Sequence, residues 1–280
     1  MDAGRRALVL GGGGVTGIAW ELGLVQAWVE GGVDVREADL AVGTSAGSAA
    51  GAQLWSDADV EALVARQLDP NTTELLPATD LDVVIAIFTQ LAEEGLSHEE
   101  RCARVGRMAL EAPTVSEAVR RDIVAARLPS PEWPERPLWI TAVDAETGSF
   151  TLWDRAKGVE LVDAVAASCA VPGIWPPVTI DGRRYVDGGV WSPINAFLAE
   201  GFERVLIVSP FDLELMPGVQ GELDGLRAGS AEVLVVEGDA ETSAAMGPNP
   251  LDPAMRAPAV AAGRRQGAAT LAELRAFWGG

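Results

Sequence analysis

Two glycine clusters, each set between a short apolar run and a helical pattern, restrict this chain more than any other feature. Ala7–Leu10 is apolar and ends in Gly11–Gly14; a helical pattern follows, with Ile18, Leu22, Val25 and Val29 on one face, and it stops at Gly31-Gly32. Leu40–Val42 is a second apolar run, followed by Gly43-Thr44-Ser45-Ala46-Gly47 and then an alanine-rich helical stretch. Apolar runs this short read as buried strands, and the glycines mark the turns out of them. Two strand–turn–helix units in succession require crossovers of the kind that join parallel strands. The expected fold is α/β, with a mostly parallel central sheet and helices on both faces.

From Asp57 to about Arg127 the chain is rich in Ala, Glu, Leu and Arg at helical spacing, broken at Pro70, Pro77 and Pro113. This stretch reads as a helical insertion covering one end of the sheet, within a single domain spanning 1–280. Pro129–Pro137 holds four prolines and reads as a connector. Strands resume at Leu138–Val143 and Ser149–Trp153, joined by a turn, and Asp163–Ala170 is helical in pattern. Thr179-Ile180 and Arg184–Val186 flank Asp181-Gly182, a two-residue hairpin signal. Val205–Val208 and Val233–Val236 read as further buried strands, Pro248–Pro258 as a loop, and Ala259–Trp278 as a closing helix. There is no internal repeat.

Composition excludes several classes of partner. The chain carries 41 acidic and 21 basic residues, a formal net charge of −20, and Lys157 is its only lysine. A field of that sign repels nucleic-acid backbones and anionic lipid surfaces, so nucleic acid is not an expected partner and membrane contact is at most transient. No apolar run approaches the roughly 20 residues that span a bilayer, and Val83–Phe88 is far too short. Arg5 and Arg6 precede an apolar run too brief for a signal-peptide core, so the expected location is cytoplasmic. Cys102 and Cys169 read as separate reduced thiols, and with His98 they offer no metal-ligand spacing; neither metal nor cofactor is expected. Sequence leaves the oligomeric state open.

The residues that carry chemistry begin with Gly43-Thr44-Ser45-Ala46-Gly47, which fits Gly-x-Ser-x-Gly. In that pattern a serine sits on a sharp strand-to-helix turn with its hydroxyl exposed above the sheet, and the next residue's N–H can receive a developing oxyanion. The first glycine cluster has two readings. Gly12-x-Gly14-x-x-Gly17, with Asp34 further on, matches a dinucleotide-binding fingerprint. Consecutive glycines also let several backbone amides converge on one oxygen, as an oxyanion hole requires. The glycine loop alone does not choose between them.

A third segment does. Ala167-Ser168-Cys169-Ala170-Val171-Pro172-Gly173-Ile174-Trp175 leads into a hairpin ending Val186-Asp187-Gly188-Gly189. Together the glycine loop, the Gly-Thr-Ser-Ala-Gly turn, the Ala-Ser-x-Ala-x-Pro-Gly loop and the Asp-Gly-Gly motif resemble, in order, the signature blocks of the patatin-like phospholipases. The resemblance runs from about Ala7 to Ser209. It implies a patatin-like fold and a Ser–Asp dyad with no histidine: Ser45 as nucleophile, Asp187 as base, and the glycine loop Gly12, Gly13, Gly14 with Ala46 around the oxyanion. It also brings Pro172 and Trp175 to the substrate pocket, where Trp175 would narrow the acyl site; the residue also reads as a core tryptophan. The composition permits a dyad, since His98 is the only histidine. A carboxylate of ordinary pKa is a weak base toward a serine hydroxyl, which shifts the load to the oxyanion hole and to positioning; partial burial of Asp187 would raise its pKa and improve the match.

The chain departs from the family at Thr16, where a basic residue usually precedes the loop's last glycine. The function implied is a lipid acyl hydrolase, acting through a serine acyl-enzyme on phospholipid, lysophospholipid or simple acyl esters. Two alternatives stand beside it. One is a patatin-fold protein that binds acyl chains and turns over weakly, suggested by Thr16. The other is a dinucleotide-dependent enzyme.

Overall fold

Alternate residues of Arg6–Leu10 (β1) belong to two different apolar layers: Leu8 and Leu10 pack into one, Ala7 and Val9 into the other. A strand buried on both faces must lie inside a sheet that is covered on both sides. That sheet is seen in a computed structural model, which describes residues 4–77, 89, 95–216 and 218–279. β1 pairs in parallel with Leu40–Gly43 (β2) on one side and Arg204–Ser209 (β7) on the other. β2 continues in parallel to Leu138–Asp144 (β3), and β7 to Glu232–Glu237 (β8). Phe150–Trp153 (β4) runs antiparallel to β3. So does Arg183–Asp187 (β6), which forms a hairpin with Val178–Ile180 (β5). Asp181 and Gly182 both have positive φ at the hairpin tip, the two-residue turn that matches strand twist.

The register of β3 sets up the site. Ile140 pairs with both Gly43 and Trp153, and Ala142 pairs with both Asp187 and Thr151. β4 therefore holds one edge of β3, while β2 and β6 follow each other along the opposite edge. β6 runs toward the end of β2 and stops there at Asp187.

One face is covered by Gly14–Glu30 (α1), Ala46–Leu54 (α2), Leu161–Ser168 (α6) and Arg256–Trp278 (α9). Val219–Ala228 (α7) covers the other. Within 57–127 the described residues form Val60–Leu68 (α3), His98–Glu111 (α4) and Glu117–Arg127 (α5). The run 83–88 lies outside the described residues. Ala240–Met246 (α8) precedes the last loop. Among the described residues no helix is long and apolar enough to cross a membrane.

Four details differ from the sequence pattern. Every residue of α1 from Val15 to Trp28 is buried, not one face alone, because α9 packs along its outer side. Trp28 donates to Thr270 Oγ1 and Arg275 to the Gly31 carbonyl across that contact. α9 starts at Arg256, so Pro258 falls in its first turn, where a missing N–H costs nothing. β8 is only half-buried, since it is the sheet's last strand. α7, whose Val219, Leu223 and Leu226 do fall at helical spacing, and the short α8 lie in stretches to which the sequence pattern assigns no element.

Glu21, on α1, is fully buried, and neither carboxyl oxygen has a hydrogen-bond partner among the described residues. Burial holds its pKa well above 4.5, so the folded chain keeps the proton and the unfolded chain releases it. Stability therefore falls as pH rises from about 4.5 through the folded-state pKa. Glu21→Met should raise stability at pH 8 by about 1–3 kcal/mol, and the gap in Tm from wild type should narrow toward pH 4. Thermal melts of both proteins across that range check it.

Candidate active site

Ser45 links β2 to α2 with φ 52° and ψ −115°, a conformation that a residue with a side chain rarely adopts. Such strain persists only where neighbours fix the backbone, and here they do. Ser45 N–H donates to Ser168 Oγ (2.9 Å), while its carbonyl accepts from Ser48 Oγ (2.7 Å) and Cys169 Sγ (3.1 Å). Burial pushes the Cys169 thiol pKa up, which keeps it a donor. The turn also lies hard against β1: a Cβ on Gly47 would stand 2.1 Å from the Leu10 carbonyl oxygen. That contact is the physical reason for the second glycine of the motif.

Asp187 ends β6 beside this turn. Its Oδ1 accepts from Gly189 N–H (2.7 Å), and its own N–H donates to the Ala170 carbonyl (3.0 Å). Oδ2 has no hydrogen-bond partner of ordinary geometry among the described residues. The Ser45 hydroxyl is near enough to depress the carboxyl's pKa without closing that bond. Burial dominates and lifts the pKa to about 7, against the lowering effects of Ser45, the Gly189 amide and Arg120. Asn195, buried and left-handed at φ 50°, ties the surroundings together. Its Nδ2 donates to the Ser192 carbonyl (2.8 Å) and lies 3.0 Å from Thr44 Oγ1, which contacts Thr141 Oγ1 of β3 at 3.0 Å. Sequence reasoning passed over Ser168 and Asn195, although Ser168 sat inside a recognised motif.

The glycine loop crosses above β1. Gly12 gives its N–H to the Pro193 carbonyl (3.0 Å), so it forms wall and not donor, which removes it from the expected oxyanion set. The N–H groups of Gly13, Gly14 and Ala46 make no hydrogen bond among the described residues. Gly13 is the N-cap of α1 and Ala46 the first residue of α2, so the positive ends of two helices meet here. Gly14 has φ +63°, and a Cβ on it would stand 2.5 Å from the Pro250 carbonyl oxygen. Thr16 is fully buried, and both its N–H and its hydroxyl donate to that same carbonyl at 3.1 Å. Thr16 thus fastens the 249–251 loop over the glycines, a loop that sequence reading gave no role.

Gly12, Gly13, Gly14, Ser45 and Asp187 line one cavity of about 370 Å³, whose remaining wall includes Val171, Ile174, Phe211, Met216 and Leu251. Pro172 is buried and does not line this cavity, whereas Val171 and Ile174 near it in the chain do. Trp175 faces a second cavity of about 10 Å³, shared with Ser45, Ala46, Gly14 and Arg120. His98 is elsewhere, edge-on to Trp191 at 4.5 Å with Nε2 2.9 Å from the Trp191 carbonyl oxygen. Asp34 is paired with Arg36 and precedes β2, whereas a ribose-binding acid would end that strand. Among the described residues no cluster of His, Cys, Asp and Glu could hold a metal ion.

The model of the patatin-like phospholipase family matches residues 8–199. Among solved structures, VipD from Legionella pneumophila is similar with a TM-score of 0.50 at 15% identity, covering 97% of this chain and 67% of its own. The type III effector protein ExoU gives a TM-score of 0.42 at 17% identity, covering 97% of this chain and 53% of its own. At these identities the likeness to VipD is one of fold.

The packing around Thr16 gives a direct expectation. Thr16→Arg must bury a long cation and displace the 249–251 loop, lowering stability by at least about 2 kcal/mol. Thr16→Val, which loses only the hydroxyl's bond to Pro250, should lose about 1 kcal/mol. Thermal or denaturant unfolding of the two variants measures both.

Proposed function

This chain belongs to the patatin-like phospholipase family, and from that premise we propose that it hydrolyses carboxylic esters of lipids with Ser45 as nucleophile and Asp187 as base. The observation that carries the reading is the pairing on one cavity wall of a strained serine turn with a buried carboxyl of pKa about 7. A base near the working pH is both ionised and worth protonating, which an ordinary aspartate is not.

The steps follow from the groups in place. Asp187 Oδ2, free of other partners, takes the proton from Ser45 Oγ as that oxygen bonds to the ester carbon. The carbonyl π pair moves onto the carbonyl oxygen, where the amides of Gly13, Gly14 and Ala46 and two helix N-termini receive it. Collapse breaks the bond to the alcohol, which leaves with the proton from Asp187. Water then attacks the acyl-enzyme with Asp187 again as base; the bond from the acyl carbon to Ser45 Oγ breaks, Oγ takes the proton back from Asp187, and the acid is released. The apolar wall of Val171, Ile174, Phe211, Met216 and Leu251 suits an acyl chain. A net charge of −20 favours dispersed neutral or zwitterionic lipid over anionic bilayers.

Ser45→Ala and Asp187→Asn should each remove ester hydrolysis, by about 10⁴-fold or more, and the double variant should lose little beyond either. A p-nitrophenyl ester assay with fluorophosphonate labelling reads this. Substantial turnover by Ser45→Ala would end the proposal, and labelling of wild type without turnover would favour the weakly active lipid binder.

The pH profile is equally specific. Among the described residues, Arg120, with burial lowering its pKa to about 9, and the Cys169 thiol, raised by burial, are the other titratable groups facing Asp187. Neither changes charge between pH 5 and 8, so kcat/KM should climb about tenfold per pH unit below about 7 and level off above it. A profile flat down to pH 5 would contradict Asp187 as base.

A further inference from the structure

Arg120 has no place in the scheme above, yet it stands beside it. It projects from α5 with 2% of its surface exposed, its guanidinium 3.8 Å from the Trp175 ring centroid. Its Nε and Nη1 are buried without a hydrogen-bond partner among the described residues. Burying an unpaired cation is costly, and proteins normally place a carboxylate or carbonyl against it. The neighbouring Arg127 has that arrangement, since Glu74 holds it bidentately at 2.6 and 2.8 Å. Glu74 and Asp187 are close enough to favour the charged form of Arg120, but neither is bonded to it.

The guanidinium opens onto the 10 Å³ cavity that also touches Ser45, Ala46 and Gly14. Space of that size holds about one oxygen-sized group, which is too little for a phosphate. Two of the amides without partners, those of Gly14 and Ala46, belong to the same wall. No cation comes from position 16, where the Thr16 hydroxyl is turned to Pro250.

We propose that Arg120 is a charge-stabilising residue of the ester-hydrolysis site: its guanidinium faces the carbonyl oxygen on which negative charge develops, and supplies the cation that the glycine loop lacks. The proposal rests on the hydrolase reading given above. Before attack the site holds one negative charge on Asp187; after it, that charge sits on the substrate oxygen and Asp187 is neutral. Arg120 lines the small cavity beside Ser45 and is bonded to neither Glu74 nor Asp187, so its Nε and Nη1 are uncommitted as charge arrives on that oxygen. Trp175 holds the guanidinium plane by stacking, which gives that residue its function without any contact with the acyl chain.

Arg120→Met, nearly isosteric and neutral, tests this with a soluble p-nitrophenyl ester. The expected result is a kcat lower on the order of 10²-fold with KM little changed, and Arg120→Lys recovering part of the loss. The Tm of Arg120→Met should equal or exceed that of wild type, because an unpaired buried charge has gone. Removing the cation should also move the Asp187 limb to higher pH, a shift that mere loss of packing does not produce. Should Arg120→Met fold poorly, Arg120→Gln provides the second neutral variant.

Wild-type kcat with an unmoved limb in a folded neutral variant would overturn the proposal. So would a loss confined to the KM of phospholipid substrates with p-nitrophenyl ester turnover intact, which would assign Arg120 to a headgroup. The two readings fail separately. Wild type without ester turnover counts against the hydrolase reading, whereas NMR titration of the Asp187 carboxyl, with and without Arg120, needs no turnover. Identical titrations in that experiment would remove Arg120 from the site.

Discussion

β3 lends the first part of one edge to β2 and the next part to β6, and the meeting of Ser45 with Asp187 depends on that division. A parallel strand alone could bring a serine turn to the end of the sheet. It takes a second strand, arriving antiparallel along the same edge and stopping two β3 residues later, to set a carboxyl beside it. The junction is tied by Thr44, Thr141 and Asn195, three buried polar side chains within hydrogen-bonding distance of one another. Because two ladders end at this point, their terminal backbone groups are open to side chains and to a ligand. Open α/β sheets place ligands there, beyond the carboxyl ends of the central strands.

Strain and burial concentrate at the same spot. Ser45 occupies a backbone conformation that costs about 1–3 kcal/mol, and bonds to Ser168, Ser48 and Cys169 hold it there. Asp187 and Arg120 are buried with open hydrogen-bonding capacity. Each of these is unfavourable for folding, and each would serve the acyl transfer proposed above: a presented nucleophile, a base with raised pKa and a cation not committed to a carboxylate. Glu21 differs from them. It is buried, and among the described residues no titratable neighbour perturbs it.

The chain as a whole is strongly acidic, whereas this site gathers positive potential from two helix N-termini and Arg120. Net charge governs how the protein meets a charged surface at a distance, but it says little about a buried pocket. Within a few ångströms, orientation and desolvation outweigh the sum over the surface.

Much of this was legible in the sequence because it is local. Strand, glycine turn and helix are written within about 20 consecutive residues, so β1–α1 and β2–α2 could be read directly, as could the Asp181-Gly182 hairpin. Ser45 and Asp187 stood out through short motifs whose glycines answer to close backbone approach. What tertiary structure decided is what lies far apart in the chain. Pro193 takes the Gly12 amide, Pro250 is fastened by Thr16, Ser168 supports Ser45, and Arg120 reaches the cavity from α5. None of these partners has a spacing that sequence could mark, since each depends on which surfaces the folded sheet and helices bring together. The same reason buried α1 all round and left β8 half-exposed: burial belongs to the neighbour as much as to the element.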